Sequence, residues 1–229
     1  MRTWQSHVAT ARDVSVAAGP FRVADARVGS TRLRVGAPTA AEADRLVPQF
    51  RRAITSLAAL FGPYPFPSLS VARLPASGGG IEYPSAILLL DASRLVVVHE
   101  TAHQWFYAMV GDSQALHPWL DEAFATYAEA LVDHHSQPNF GSLHLPGEVD
   151  ASTESYGHNG FAYYRTTYYK GSAALLAARQ AAGAAAWDRA VRCYAAANAW
   201  RIATPSDFEA AIKNLPAGVR VLRRAGAIP

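Results

Sequence analysis

Val97-Val98-His99-Glu100-Thr101-Ala102-His103-Gln104-Trp105-Phe106 and, further on, Pro118-Trp119-Leu120-Asp121-Glu122-Ala123-Phe124 decide how this chain is read. On an α-helix, residues four apart are offset by only about 40° at 3.6 residues per turn, so His99 and His103 share a face and can reach one cation. Glu100 is aimed elsewhere, and Glu122 follows His103 after eighteen intervening residues. In this pattern the histidines hold Zn²⁺ and the intervening glutamate serves as general base toward a metal-bound water. Glu122, on a second helix, is the expected third metal ligand. A histidine on an apolar helix can also be a core residue with a satisfied ring. Here, however, Leu95-Val96-Val97-Val98 precedes the motif and Trp105-Phe106 follows it. A helix so buried could carry an ionisable cluster only at high cost, and coordination to a metal removes that cost.

Glu129 lies seven positions beyond Glu122, two turns on and on the same face. Metal-bound histidines donate their other ring N–H to a carboxylate or carbonyl, which fixes tautomer and orientation. Glu129 is the candidate for that partner; a solvent-facing glutamate is the alternative on spacing alone.

Working outward, 229 residues suffice for one large domain or two small ones. The longest apolar runs, such as Ala86-Ile87-Leu88-Leu89-Leu90, fall far short of a bilayer span. Met1 to His7 lack the apolar core of an export signal. The compartment is therefore left open: cytoplasmic if the chain is complete, exported if a segment upstream is missing. The net charge of +3 is mild. Arg22, Arg27, Arg32, Arg34, Arg51 and Arg52 are scattered rather than clustered, which predicts solvated faces and no nucleic-acid partner. Cys193 stands alone, excluding an internal disulfide and a cysteine-based structural zinc site.

Residues 13 to 36 alternate apolar and polar around Gly29-Ser30 and predict a β-hairpin. Thr39 and Glu42 predict a capping box opening a helix to about Leu60, bent at Pro48. Residues 69 to 74 predict a strand, and Gly78-Gly79-Gly80 punctuates the approach to Ile81-Glu82-Tyr83. From Asp91 helices are expected at about 92–110, 117–134, 161–182, 184–199 and 206–213, with a loop between His134 and Gly160. The fold class is α+β, strands first. His134 and His135 are expected to end a helix, where their charge would suit the C-terminal dipole. His7, His117, His144 and His158 have no ligand spacing.

Four segments, in order, resemble the aminopeptidase N family of gluzincin zinc metallopeptidases. Val98 to Phe106 resembles the family's active-site helix and Pro118 to Phe124 its second ligand helix. Gly79-Gly80-Ile81-Glu82-Tyr83 resembles the exopeptidase signature, usually Gly-x-Met-Glu-Asn, and Tyr168-Tyr169-Lys170-Gly171 resembles the Tyr-x-Lys-Gly segment. The resemblance implies a thermolysin-like catalytic domain with a strand-rich N-terminal lobe (about 21–110) and a helical C-terminal lobe (about 111–229). Residues 1–20 would be at most a remnant of a preceding β-domain. One zinc per chain would be held by His99, His103 and Glu122, with Glu100 as general base. Glu82 would bind the substrate's α-ammonium, and bare backbone at Gly79 and Gly80 would let a peptide add as an extra strand. Tyr168 would donate its hydroxyl to the developing oxyanion. From spacing alone Tyr164 and Tyr169 are equal alternatives, and the resemblance selects Tyr168. Lys170 receives no chemistry. Asp121 stands where the family usually has asparagine and is expected to orient the neighbouring backbone.

The expected activity is zinc-dependent removal of N-terminal residues from peptides with a free N-terminus. Two alternatives stand beside it. One is a metalloendopeptidase of the same fold; the other is a truncated or catalytically silent scaffold that needs a missing β-domain, supplied separately or by a partner chain.

Overall fold

The computed structural model describes residues 10–133 and 140–229, so the expectations for His7, His134 and His135 lie outside the described residues. The hairpin forms as β1 (Arg22–Val28) and β2 (Thr31–Ala37), joined through Gly29 at φ +58°, where a missing Cβ relieves the left-handed turn. Residues 13 to 20, at the front of the expected hairpin, join neither strand. The inward residues of β2, Leu33 and Val35, are fully buried.

Thr39 caps α1 (Ala40–Phe61) by accepting from the Glu42 N–H at 3.2 Å. The other half of the expected capping box is replaced: the Glu42 carboxylate pairs with Arg73 Nε at 3.2 Å. The helix runs through Pro48 and stops at Gly62, φ +106°. It crosses over to β3 (Ser68–Arg73), parallel to β2. A second hairpin, β4 (Gly80–Tyr83) and β5 (Ala86–Leu89), completes a sheet of order β1-β2-β3-β5-β4, which among the described residues leaves β4 at an edge.

The helix carrying the two histidines, α2, spans Arg94–Ala102 and ends well before the expected residue 110. His103 follows as its cap, still right-handed at φ −59° and ψ −15°, so the spacing from His99 is preserved. Tertiary packing overrides the helical pattern. Trp105 and Phe106 are both fully buried. The Trp105 indole N–H donates to the Gly62 carbonyl at 3.0 Å, and the Phe106 ring sits 4.9 Å from Phe61 and 4.4 Å from Phe124. Tyr107 then turns the chain at φ +116°.

Beyond β6 (Val110–Gly111) comes α3 (Trp119–Val132), bearing Glu122 and Glu129. The stretch expected as one regular helix over 161–182 is α4 (Gly160–Tyr164), a π-helical turn (Arg165–Lys170) and α5 (Gly171–Ala182). After α6 (Ala184–Ala197), β7 (Arg201–Ile202) pairs in parallel with β6. The chain closes with α7 (Pro205–Ile212) and α8 (Pro216–Ala225), the last not foreseen from the sequence. One continuous apolar core runs from Leu33 and Val71 through Leu57, Val97, Phe124, Leu175, Trp187 and Leu222, making a mixed sheet with helices, an α+β fold. Among the described residues no helix is long and apolar enough to cross a membrane.

Two helices meet closely at Gly171. A Cβ there would lie 2.6 Å from the Ala123 Cβ and 3.4 Å from Val149 Cγ1, so only glycine lets α5 approach the helix that bears Glu122. Gly171→Ala is expected to destabilise the fold by about 1–3 kcal/mol through overpacking. A urea denaturation midpoint equal to that of the parent chain would refute this close contact.

Candidate metal centre and cleft

The packing of α2 against α3 brings His99 Nε2 and His103 Nε2 to 3.2 and 3.4 Å from Glu122 Oε2. One ligand atom from each residue can be chosen so that all lie within 4.8 Å of one another. The opposite ring nitrogens are already engaged: His99 Nδ1 meets Glu129 Oε1 at 2.7 Å, and His103 Nδ1 meets the Phe106 carbonyl at 3.2 Å. A proton on each Nδ1 leaves the Nε2 lone pairs for a metal. Two imidazole nitrogens and one carboxylate oxygen, in a buried pocket open on one side, fit a zinc site with its fourth position free. A second observation agrees. Glu100 is 3% exposed, and its Oε2 has no hydrogen-bond partner, an orphaned acceptor beside the triad that a water in the fourth position would satisfy.

Electrostatics follow from burial and pairing. Burial opposes protonation of His99, but hydrogen bonds with Glu122 and Glu129 outweigh it and raise the ring to about 9. Burial likewise opposes charge on His103, yet Glu82 and Glu122 hold its pKa well above the usual value. Burial pushes Glu122 upward, but hydrogen bonds from His103 and His99 win and keep its carboxyl far below the usual range. For Glu100 nothing outweighs burial, and its carboxyl rises to about 7.

The same cleft, of about 640 Å³, is lined by Gly79, Gly80, Glu82, Tyr168 and the triad. Gly80 has a steric reason to lack a side chain: its Cβ would lie 2.5 Å from Glu100 Cδ. The Gly79 carbonyl already accepts from the Leu90 and Asp91 N–H groups at 3.0 and 2.8 Å, which fixes the start of β4. Tyr168 lies on the π-helical turn, where the extra residue per turn re-aims side chains. Its ring lies parallel to His99, within 5° at 5.9 Å, and burial together with the Glu122 charge pushes its hydroxyl pKa far up. Tyr164 and Tyr169 sit further out on the rim, 43% and 45% exposed.

Several residues at the site had no role in the sequence reading. Gln104, fully buried beside His103, accepts from the Ser85 N–H at 2.8 Å and donates to the Tyr83 carbonyl at 3.0 Å, fastening the β4–β5 turn to the end of α2. Gln114 Nε2 donates to Glu82 Oε1 at 3.2 Å and Asp121 Oδ2 at 2.9 Å. Asp121, for which the sequence did suggest a role in orienting the neighbouring backbone, accepts from the Glu122 N–H through Oδ1 at 2.6 Å. Lys170 Nζ donates to the Gly147 carbonyl, anchoring the turn that carries Tyr168. The position of Gln104 next to His103 could have drawn notice; the contacts of Gln114 with Glu82 and of Lys170 with Gly147 join residues far apart in the sequence. Away from the triad, His117 pairs with Asp150 at 2.7 Å, and among the described residues it joins no metal-competent group.

The metal must displace protons. With His99 at about 9 in the ion-free chain and His103 held well above its usual value, binding at neutral pH expels a proton from each ring, so affinity rises with pH across the neutral range. Competition titrations with a zinc chelator at pH 6.5 and pH 7.5 are expected to give an affinity about a hundredfold weaker at the lower pH. Equal affinities would contradict protonation of His99 and His103 in the ion-free chain.

Comparison with known proteins agrees with the geometry. The peptidase family M1 domain matches residues 63–223. Aminopeptidase N of Lactobacillus delbrueckii subsp. lactis is 38% identical over 95 residues, 34% of this chain and 11% of that protein. Endoplasmic reticulum aminopeptidase 1 of Homo sapiens is 30% identical over 118 residues, 41% of this chain and 12% of that protein. Among solved structures, an M1 zinc metallopeptidase from Deinococcus radiodurans superposes with a TM-score of 0.73 at 24% identity, over 91% of this chain and 51% of that one. A mutant of that enzyme bound to a Tyr-Ser-Ala substrate gives 0.71 at 23% identity, over 91% and 52%. The chain thus spans about half the length of these structures and about a tenth of the curated relatives. With a family match over more than half its length and the histidines, glutamates and cleft described above, the chain belongs to peptidase family M1.

Proposed function

We propose that this chain is the catalytic domain of a zinc-dependent aminopeptidase, removing N-terminal residues from peptides. What carries the reading is the convergence in one cleft of the His99, His103 and Glu122 donors, the Glu100 carboxylate with its unpartnered Oε2, and the Glu82 carboxylate on the edge strand β4. Bound by His99, His103 and Glu122, zinc would supply Lewis-acid polarisation of the scissile carbonyl and make water a nucleophile near neutral pH.

The chain's own residues do the rest. Glu100, with a carboxyl raised to about 7, can take the proton of the attacking water and hand it to the leaving amine. Glu129 holds His99 in one tautomer. The Tyr168 hydroxyl, whose pKa burial and Glu122 push far up, remains protonated and donates to the carbonyl oxygen as charge develops there. Glu82 offers a fixed carboxylate to the substrate's α-ammonium, which favours exopeptidase over endopeptidase action. At the sheet edge, β4 can receive the peptide backbone as an added strand. In this reading residues 21–229 are the catalytic domain, and the span of about half the related structures supports a preceding β-domain as a further contributor, in the same polypeptide or a partner.

Release of 7-amino-4-methylcoumarin from alanyl and leucyl substrates tests this directly. Cleavage of the free-amine substrates, abolished by a zinc chelator, is expected, with no cleavage of the N-acetylated ones; comparable cleavage of both would favour the endopeptidase. A chain that binds zinc stoichiometrically without cleaving either would be a scaffold awaiting its β-domain. Glu100→Gln is expected to keep the metal while losing about a hundred- to ten-thousand-fold in turnover, and unchanged turnover would remove Glu100 from the mechanism.

A further inference from the structure

We propose that Gln114 is a positioning residue for the substrate's amino end: its amide fixes the Glu82 carboxylate and ties it to the segment bearing Glu122. This rests on Glu82 being the amine anchor. Gln114 lies in the connector between β6 and α3, thirty-two residues from Glu82 along the chain. Its Nε2 stands 3.2 Å from Glu82 Oε1 and 2.9 Å from Asp121 Oδ2, so the two hydrogens of one amide nitrogen serve two carboxylates. The other oxygen of Asp121 accepts from the Glu122 N–H at 2.6 Å. An unbroken polar link therefore runs from β4 to the first turn of α3.

The chemistry of that link suits a cation site. A glutamate on an edge strand has three free rotors, and holding one of its oxygens leaves the other aimed at an incoming ammonium while reducing the freedom lost on binding. A lysine or arginine in place of Gln114 would also hold Glu82, but would neutralise it and repel the ammonium. The amide donates without bringing charge. The link also sets the distance between amine anchor and metal ligand, which determines which peptide bond reaches the metal.

The test uses calorimetry on the zinc-loaded full chain with L-leucine hydroxamate, which has a free amine, and its N-acetyl derivative, which lacks the ammonium. Gln114→Met removes both donors at similar volume, and Gln114→Glu keeps the shape but replaces the donor with an acceptor. Both are expected to weaken the free-amine ligand about tenfold while leaving zinc content and N-acetyl ligand affinity unchanged. Glu82→Gln is measured alongside. If Glu82→Gln leaves the free-amine ligand unaffected, the amine-anchor reading falls and this proposal with it. If Glu82→Gln weakens that ligand but both Gln114 variants bind it as the parent does, the role of Gln114 alone is overturned. Equal loss of both ligands in the Gln114 variants would also overturn it, because damage to the metal site does not discriminate by amine.

Discussion

Everything at this site depends on one constraint: two imidazoles and several carboxylates are buried together where α2 meets α3, and each must have a partner. Isolated charges there would be driven neutral by desolvation. Instead His99 lies between Glu122 and Glu129, and His103 between Glu122 and the Phe106 carbonyl. The consequence is directional. With both Nδ1 atoms engaged, the two Nε2 atoms and Glu122 converge on one point, and Glu100 beside them keeps a buried Oε2 with no hydrogen-bond partner among the described residues. A partly satisfied polar network destabilises a core, so the site has reason to take up a cation and a water.

Such a cluster stays in register only if the helices beneath it cannot slide. The apolar side supplies that restraint through stacked rings. Phe106 is held between Phe61 of α1 and Phe124 of α3, and Phe124 continues to Phe208 at 5.1 Å and to Tyr194 at 6.1 Å. These rings lie directly behind the residues that carry the chemistry: Phe124 is two positions beyond Glu122, and Phe106 three beyond His103. Because rings of this size cannot shift without opening a cavity, the distance between α2 and α3 is set by packing, and the polar atoms adapt to it.

Periodicity explains which parts were legible in the sequence. His99, His103, Glu122 and Glu129 are each related by helical spacing to a neighbour in the set, and the structure keeps them on facing helices. The hairpin, the long α1 and the α+β class follow from alternation and capping residues that act locally. The end of α2 at Ala102 was not legible, because Trp105 and Phe106 leave the helix to fill space between elements far apart in sequence. The π-helical turn at Arg165–Lys170 was hidden for a related reason, since Tyr168 and Lys170 meet groups far away in the sequence, the His99 ring and the Gly147 carbonyl. Glu82 carried no periodic signal and was visible only through family resemblance. The capping of α1 divides between the two cases: Thr39 acts locally, whereas Glu42 is drawn to Arg73 across the fold.

The residues that hold the edge strand in place are amides rather than ions, and the choice has a physical reason. Gln104 grips both sides of the β4–β5 turn from the end of α2, through the Ser85 N–H and the Tyr83 carbonyl. Gln114 reaches Glu82 from the opposite flank. The turn needs a donor and an acceptor at once, which an amide provides and no charged side chain does. Ser85 sits at φ +62°, an uncommon conformation for a residue with a Cβ, and its engaged N–H helps to hold it there. A cation beside Glu82 would neutralise its carboxylate, and one beside His103 would oppose loading of a metal. Neutral clamps fix the geometry while leaving the negative charge of the cleft intact. In this site, rigidity and charge are supplied by different side chains.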